Sequence, residues 1–503
     1  YARVTGKVGV CIASRPGATN LVTGIATAYM DSSPLVAITG QVPIDMLGKD
    51  AFQEVDIIGM TTSITKHNFQ PMKPEEVPPV VKTAFRMAET HRRGPVLIDI
   101  PWDVQVKEAE VEFPFKNEIE LRKHFNEEPS LSAIKEAAEA LLSAERPIIL
   151  AGGGVIIADA CKELKTLAEE IKAPVAVSLM GKGCMPEDHP LYLGLLGMYG
   201  VPYANMALTE ADTILAIGFR FSDRTITADM KPRSDAKLIH ADVDIAEINK
   251  IFPVTIEVAG DAKKILVALL RYVHGKVKPR SIEAWFKRIE QLKKDFNLPY
   301  EDEPKKTVHL KPPKLMKIIR EILPKEAIIT TEVGQNQIWT AQYLKTYYPR
   351  TFITSGGMGT MGFGFPAALG AKVAKPEVPV IDIAGDGSFL MSRGELATSV
   401  TEKIPVTVII LNNRALGMIV QLQLYLCNGR FFQSHLGKSP DFVKLAKAYG
   451  AEGVHVEDYK EFRKAFSEAL KNEVTTVIDV PVSPEEIVPM NLPRVLETFQ
   501  PPT

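Results

Sequence analysis

The sequence predicts an α/β protein of three domains, each a mostly parallel sheet flanked by helices. Three observations predict it. Runs such as Val380-Ile381-Asp382-Ile383-Ala384 and Val406-Thr407-Val408-Ile409-Ile410-Leu411, each with a single polar residue, have the near-continuous hydrophobicity of strands covered on both faces, not the alternation of half-exposed ones. Stretches of helical length and period lie between such runs. Two charged, proline-dotted connectors, over residues 107–129 and 276–314, cut the 503-residue chain into three blocks.

The first block, residues 1–105, carries expected strands over 8–13, 35–39 and 96–100 and a helix over 79–90. Its first strand begins so near Tyr1 that neighbouring strands have no room before it, so the chain reads as starting inside a domain. The connector after it is rich in Glu and Lys and reads as surface. In the second block, residues 130–275, helices are expected over 131–144 and 158–171 and strands over 147–151, 175–179, 213–217 and 237–242. An amphipathic helix around 282–296 interrupts the next connector. The third block, residues 313–485, has expected strands over 327–331, 378–383, 406–411 and 476–480, and a polar, proline-rich tail follows. No short-period repeat or low-complexity tract interrupts the pattern.

Bulk properties narrow the partners. A hydrophobic content of 46% is ample for several cores. A net charge of −2 argues against nucleic acid or an anionic membrane, since phosphate surfaces are bound through a basic excess missing here. Small molecules fit better. Cys11, Cys161, Cys184 and Cys427 are scattered without a CxxC pair, which indicates neither zinc nor a disulfide framework and suits a reducing cytoplasm. No apolar stretch reaches membrane-spanning length.

The chemistry is concentrated in the third block. Gly385-Asp386-Gly387-Ser388-Phe389 and Asn412-Asn413 each follow an expected buried strand, so both clusters emerge where open parallel sheets place ligands. Taken singly, each is an ordinary turn former. Taken together, a carboxylate and an amide oxygen beside glycines that let backbone approach closely suit a hard divalent cation holding phosphate oxygens. The expected ligand is a Mg2+–diphosphate.

Gly-Asp-Gly, a helical run through Glu395-Leu396-Ala397, a strand and then Asn-Asn resembles the signature of the thiamine-diphosphate (ThDP) enzymes. In the first block, Pro16-Gly17-Ala18-Thr19-Asn20, Gly40-Gln41-Val42-Pro43, Asp50-Ala51-Phe52-Gln53-Glu54 and Thr65-Lys66-His67-Asn68 resemble the acetohydroxyacid synthases, also called acetolactate synthases, within that family. In the third, Gly334-Gln335-Asn336-Gln337-Ile338-Trp339 and Gly356-Gly357-Met358-Gly359-Thr360-Met361-Gly362 do the same. The resemblance implies pyrimidine-binding, central Rossmann-like and diphosphate-binding domains in that order. It implies a metal held by Asp386, Asn413 and the carbonyl near Ala415, and coenzyme contacts from Pro16, Asn20, Gln335, Gly359, Gly385, Gly387, Ser388 and Met418. Met361 is implied as the apolar wedge that bends the coenzyme until its two rings meet; as plain core packing it would need no such role. Gln41 is implied beside the reacting atoms, and Phe52, Lys66 and Leu422 beside substrate.

In the central block, Gly152-Gly153-Gly154 after a strand is on its own a tight turn. With Tyr199, Gly218, Arg220, Arg224, Asp242 and Asp261 it resembles the flavin-binding segments of the biosynthetic acetohydroxyacid synthases, which implies a structural FAD. Arg220 and Arg224 suit a phosphate or carboxylate, and as surface arginines they suit an ion pair equally.

The resemblance implies decarboxylation of pyruvate on ThDP and ligation to a second 2-oxo acid, giving 2-acetolactate or 2-aceto-2-hydroxybutyrate for branched-chain amino-acid synthesis. It also implies a cytoplasmic homodimer or tetramer and a separate regulatory subunit. Arg15 stands where the family usually has glycine, and Leu422 where it typically has tryptophan. These keep open another ThDP decarboxylase or carboligase. The family's catalytic glutamate lies upstream of the segment matched by Tyr1-Ala2-Arg3, which keeps open a non-catalytic cofactor-binding subunit.

Overall fold

A computed structural model describes residues 1–111, 128–226, 230–276, 282–298 and 309–490. Most of the connector expected over 107–129, parts of that over 276–314 and the tail beyond 490 lie outside the described residues. The chain divides into two compact units, Tyr1–Asn126 with Ser355–Thr360, and Glu127–Thr354 with Met361–Thr503.

The first unit is built on strands β1 (Gly9–Ser14), β2 (Leu35–Gln41), β3 (His67–Phe69) and β4 (Pro95–Pro101), all parallel, in the order β1-β2-β4-β3. Val36 pairs with Val96 and Ala37 with Leu97, so successive residues face opposite sides of the sheet. Val36, Val96 and Ile98 meet Val80, Ala84 and Ala88 of the helix Val77–Glu89, whose buried residues recur at helical spacing. Ala37 and Leu97 meet Ala18, Ile25 and Ile57 on the other face.

The second unit holds two six-stranded parallel sheets. One contains β5 (Pro147–Ala151), β6 (Val175–Val177), β7 (Tyr192–Leu195), β8 (Thr213–Ile217), β9 (Lys237–Asp242) and β10 (Ile256–Ala259), in the order β10-β9-β8-β5-β6-β7. The other contains β11 (Ile328–Thr331), β12 (Phe352–Ile353), β13 (Val380–Gly385), β14 (Thr407–Asn412), β15 (Glu452–His455) and β16 (Thr476–Pro481), in the order β12-β11-β13-β14-β16-β15. All strands stay parallel, but the direction in which successive strands are added switches between β5 and β8 and between β11 and β13, and such switch points open a crevice at the strands' carboxyl ends. A single apolar core joins both sheets, from Ile149 and Ile217 to Ile329, Trp339 and Phe466. The buried ion pair Lys182–Glu187 also joins them, because the Glu187 N–H donates to the Thr346 carbonyl at 3.1 Å.

Two expected elements differ. The strand over 175–179 ends at Val177, because Ser178 caps the 3-10 turn Leu179–Gly181, its Oγ accepting from the Gly181 N–H at 3.2 Å. The helix over 158–171 starts at Cys161; a separate helix, Gly153–Ile157, precedes it, and Asp159 at φ 51° breaks the path between them. No helix among the described residues is long and apolar enough to cross a membrane.

Candidate active site

Gly385 ends β13 opposite Leu411 of β14, so the two strands deliver Asp386 and Asn413 side by side. Asp386 opens the helix Asp386–Ser392, where free backbone N–H groups favour a negative charge. Its side chain is 1% exposed. Burial pushes its carboxyl up to about 6, against the pull of the Ser439 hydroxyl and the backbone N–H groups of Asp386, Gly387 and Asn413. Ser439 Oγ donates to Asp386 Oδ2 at 3.1 Å. Asn413 Oδ1 accepts from the Ala415 N–H at 3.1 Å, and Asn413 Nδ2 donates to Gln335 Oε1 at 3.2 Å. A buried carboxylate whose charge is costly, beside neutral oxygens at Asn413 and Ala415, fits a hard divalent cation, which would offset that cost.

Met361 reaches this end of the sheet. A Cβ on Gly387 would lie 2.8 Å from Leu416 Cδ2, 3.2 Å from Leu436 Cδ1 and 4.0 Å from Met361 Cε, so the missing side chain lets three apolar groups gather over the helix start. Ser388 is buried, its Oγ donating to the Gly385 carbonyl at 3.2 Å. Gln335 is tied on every side: besides Asn413, its Nε2 donates to Gln421 Oε1 at 3.0 Å and to the Glu486 carbonyl at 2.9 Å. Gln421 in turn holds Val488 through both backbone groups, a network that the strand pattern does not foretell. Met418 and Leu422 lie one turn apart on the helix Gly417–Leu426, with Met418 packed against the core.

In the first unit Gln41 ends β2, buried. Its Nε2 donates to the Val55 carbonyl at 2.8 Å and to Asp99 Oδ2 at 3.2 Å, and its Oε1 accepts from the Val42 N–H at 2.8 Å. Asp99 is the residue that sequence reasoning missed here. It is fully buried on β4, raised by burial, and holds Thr39, Gln41 and Gln70 together. The signal was available, since a lone acid inside the apolar run Val96-Leu97-Ile98-Asp99-Ile100 needs partners. Pro16 and Asn20 are exposed around the 3-10 helix Gly17–Leu21, and Phe52 is 87% exposed. Lys66 turns inward, its Nζ donating to the carbonyls of Met87 and of Thr90, the latter at 2.6 Å. The segment carrying Gly359 is held by Asp31, whose Oδ1 accepts from the Gly357 N–H at 2.7 Å.

Residues 332–480 match the family described as "Thiamine pyrophosphate enzyme, C-terminal TPP binding domain", residues 134–269 its central domain and residues 1–60 its N-terminal TPP binding domain. The chain is 48% identical to the probable acetolactate synthase large subunit of Methanocaldococcus jannaschii, across 100% of this chain and 86% of that one. It is 39% identical to the acetolactate synthase isozyme 3 large subunit of Escherichia coli, across 98% and 87%. The chain belongs to the acetolactate synthase large subunits. It is therefore a thiamine-diphosphate-dependent enzyme.

In the central part of this acetolactate synthase relative, the glycines after β5 meet the turn after β8. A Cβ on Gly152 would lie 1.9 Å from the Gly218 carbonyl oxygen. The Gly152 N–H donates to Ile217 and the Gly154 N–H to Gly218, so these groups are engaged within the fold, while Gly153 packs by Met180. Asp261 caps the helix Ala262–Val273, accepting from the N–H groups of Lys263 and Lys264, and Asp242 accepts from the Asp244 N–H at 2.9 Å. The Tyr199 hydroxyl reaches Met418 Sδ at 3.7 Å. Arg220 lies half-buried after β8, and the more exposed Arg224 pairs with Asp223 at 3.7 Å.

Proposed function

We propose that this chain is the catalytic subunit of an acetolactate synthase, taking pyruvate and a second 2-oxo acid to 2-acetolactate or 2-aceto-2-hydroxybutyrate in branched-chain amino-acid synthesis. The observation that carries the reading is the meeting of Asp386 and Asn413 at the ends of paired strands, under Met361. Asp386, Asn413 and the Ala415 carbonyl would hold Mg2+ and, through it, the diphosphate. When bound, ThDP supplies the electron sink for decarboxylation. The chain's own residues position and enclose: Met361, Leu416 and Leu436 form an apolar wall that excludes water, and Gln335 orients the Asn413 amide. In this reading Ser388 and Met418 add coenzyme contacts and Leu422 a substrate contact from the second unit, while the first unit separately supplies Pro16, Asn20, Gln41 and Gly359 for coenzyme and Phe52 and Lys66 for substrate.

The proposal includes a structural FAD near Gly153, Tyr199, Arg220 and Arg224, a cytoplasmic location and, as the relatives' name "large subunit" suggests, a small regulatory partner. A homodimer or tetramer is supported by bare apolar side chains on the helix Gly417–Leu426 and just after it, Ile419, Leu424, Tyr425 and Leu426 with Phe432 at 76% exposure.

The test is product analysis of the purified protein given pyruvate, ThDP and Mg2+, with and without 2-oxobutyrate. Acetolactate supports the reading. Acetaldehyde alone points to another ThDP decarboxylase, and coenzyme binding without turnover points to a non-catalytic subunit.

A further inference from the structure

Two carboxyl groups lie buried together in the last sheet, at the strands β11 and β13 that lead to the Asp386 end. Glu332 directly follows β11, and Asp382 lies within β13 opposite Thr330. Residues two apart on a strand share a face, so Thr330, Glu332 and Asp382 all point to the side covered by the helix Gly364–Ala374. Both acids are fully buried. Burial raises both, and repulsion from Glu332 raises Asp382 further. Two negative charges do not coexist in such a site, and the pair keeps one proton.

Hydrogen bonds decide which partner is charged. Glu332 Oε2 accepts from the Gly362 N–H at 2.7 Å, and Glu332 Oε1 accepts from the Phe365 N–H at 3.1 Å and from Ser392 Oγ at 3.4 Å. Asp382 Oδ1 accepts from Thr330 Oγ1 at 2.9 Å, whereas Asp382 Oδ2 is buried with no hydrogen-bond partner among the described residues. Donors stabilise a carboxylate, so Glu332 carries the charge and Asp382 the proton. That charge also faces the first turn of the helix Gly364–Ala374. Space is fully used: a Cβ on Gly364 would lie 2.4 Å from both Asp382 Oδ1 and the Glu332 nitrogen.

The two backbone N–H groups that Glu332 holds, at Gly362 and Phe365, come just after Met361 in the chain. We propose that Glu332 is a positioning residue for the acetolactate synthase reaction: its ionised carboxylate fastens the turn from Gly362 to Phe365 and so fixes Met361 over the Asp386–Gly387 helix start. Asp382 is its neutral neighbour, filling the site without competing for the charge. The inference rests on the reading of Met361 as a coenzyme support.

The experiment compares Glu332→Gln with Asp382→Asn, each nearly isosteric, in the full chain. Amide exchange of residues 361–366 is followed without coenzyme, and kcat and KM for pyruvate with ThDP and Mg2+. Glu332→Gln should speed exchange at Gly362 and Phe365 by about tenfold and lower kcat by roughly 100-fold, the cost of a displacement near 1 Å, with KM within about twofold. Asp382→Asn should leave both readouts within about twofold of the parent. Equal losses in the two variants, or parental behaviour of Glu332→Gln, overturn the inference. Should Glu332→Gln fail to fold, Ser392→Ala removes one donor and should speed exchange two- to threefold by the same logic; no change there overturns it. Met361→Ala separates the two readings. If it leaves kcat intact, the role of Met361 fails; if it slows turnover while Glu332→Gln does not, only the role of Glu332 fails.

Discussion

Asp386 and Lys66 are each buried at a cost. For Asp386 the native carboxyl titrates near 6 against an ordinary value near 3.8, so the native state binds more protons between those values and stability falls as pH rises through that window. Asp386→Asn should therefore raise coenzyme-free stability at pH 7 by about 1–2 kcal/mol in urea unfolding while weakening Mg2+-dependent ThDP binding at least about tenfold. Below pH 6 protons should compete with Mg2+ in the parent, and titration calorimetry at pH 5.5 and 7.5 reads that directly. Lys66 runs the other way, since burial lowers it from 10.5 to about 8. The unfolded chain then binds more protons between 8 and 10.5, so stability rises with pH there. Lys66→Met should flatten that rise by about 1–2 kcal/mol in denaturant curves at pH 7.5 and 10. Asp386 and Asn413 were legible because each comes at the end of a long, mostly apolar strand, the first interrupted only by Asp382. Gln421 and Ser439 were not, because their partners come from other elements whose approach no local pattern encodes.

Elements with long apolar runs were read almost to the residue, as in β5, β8 and β9. Edge strands β3, β7, β10, β12 and β15, of two to four residues, were not, since so short a segment pairs only because a longer neighbour offers its free side. Capping explains one further candidate residue. Asp261 accepts two backbone N–H bonds at the start of the helix Ala262–Val273, so Asp261→Ala should cost about 1 kcal/mol, seen as a lower melting temperature. Flavin content measured on the same variant separates the roles. If only stability falls, Asp261 is a cap; if flavin is lost as well, it also serves the ligand.

At the scale of the molecule, three parallel sheets were legible from three strand-rich blocks, but the joining of the last two through one core was not, because it depends on which faces meet. The Lys182–Glu187 pair lies at that junction, and Glu187→Gln would leave a buried ammonium without its counter-charge. It should destabilise the second unit by about 3–5 kcal/mol in denaturant unfolding, and an apolar replacement of both partners should recover most of the loss. The helix Gly417–Leu426 has a different kind of reach. It sets Met418 against the interior and leaves Ile419, Leu424 and Tyr425 uncovered. One rigid rod thus answers to two environments: if the proposed second copy covers its outer flank and so steadies the thioether on its inner one, concentration becomes a chemical variable, and dilution should erode turnover well before any unfolding begins.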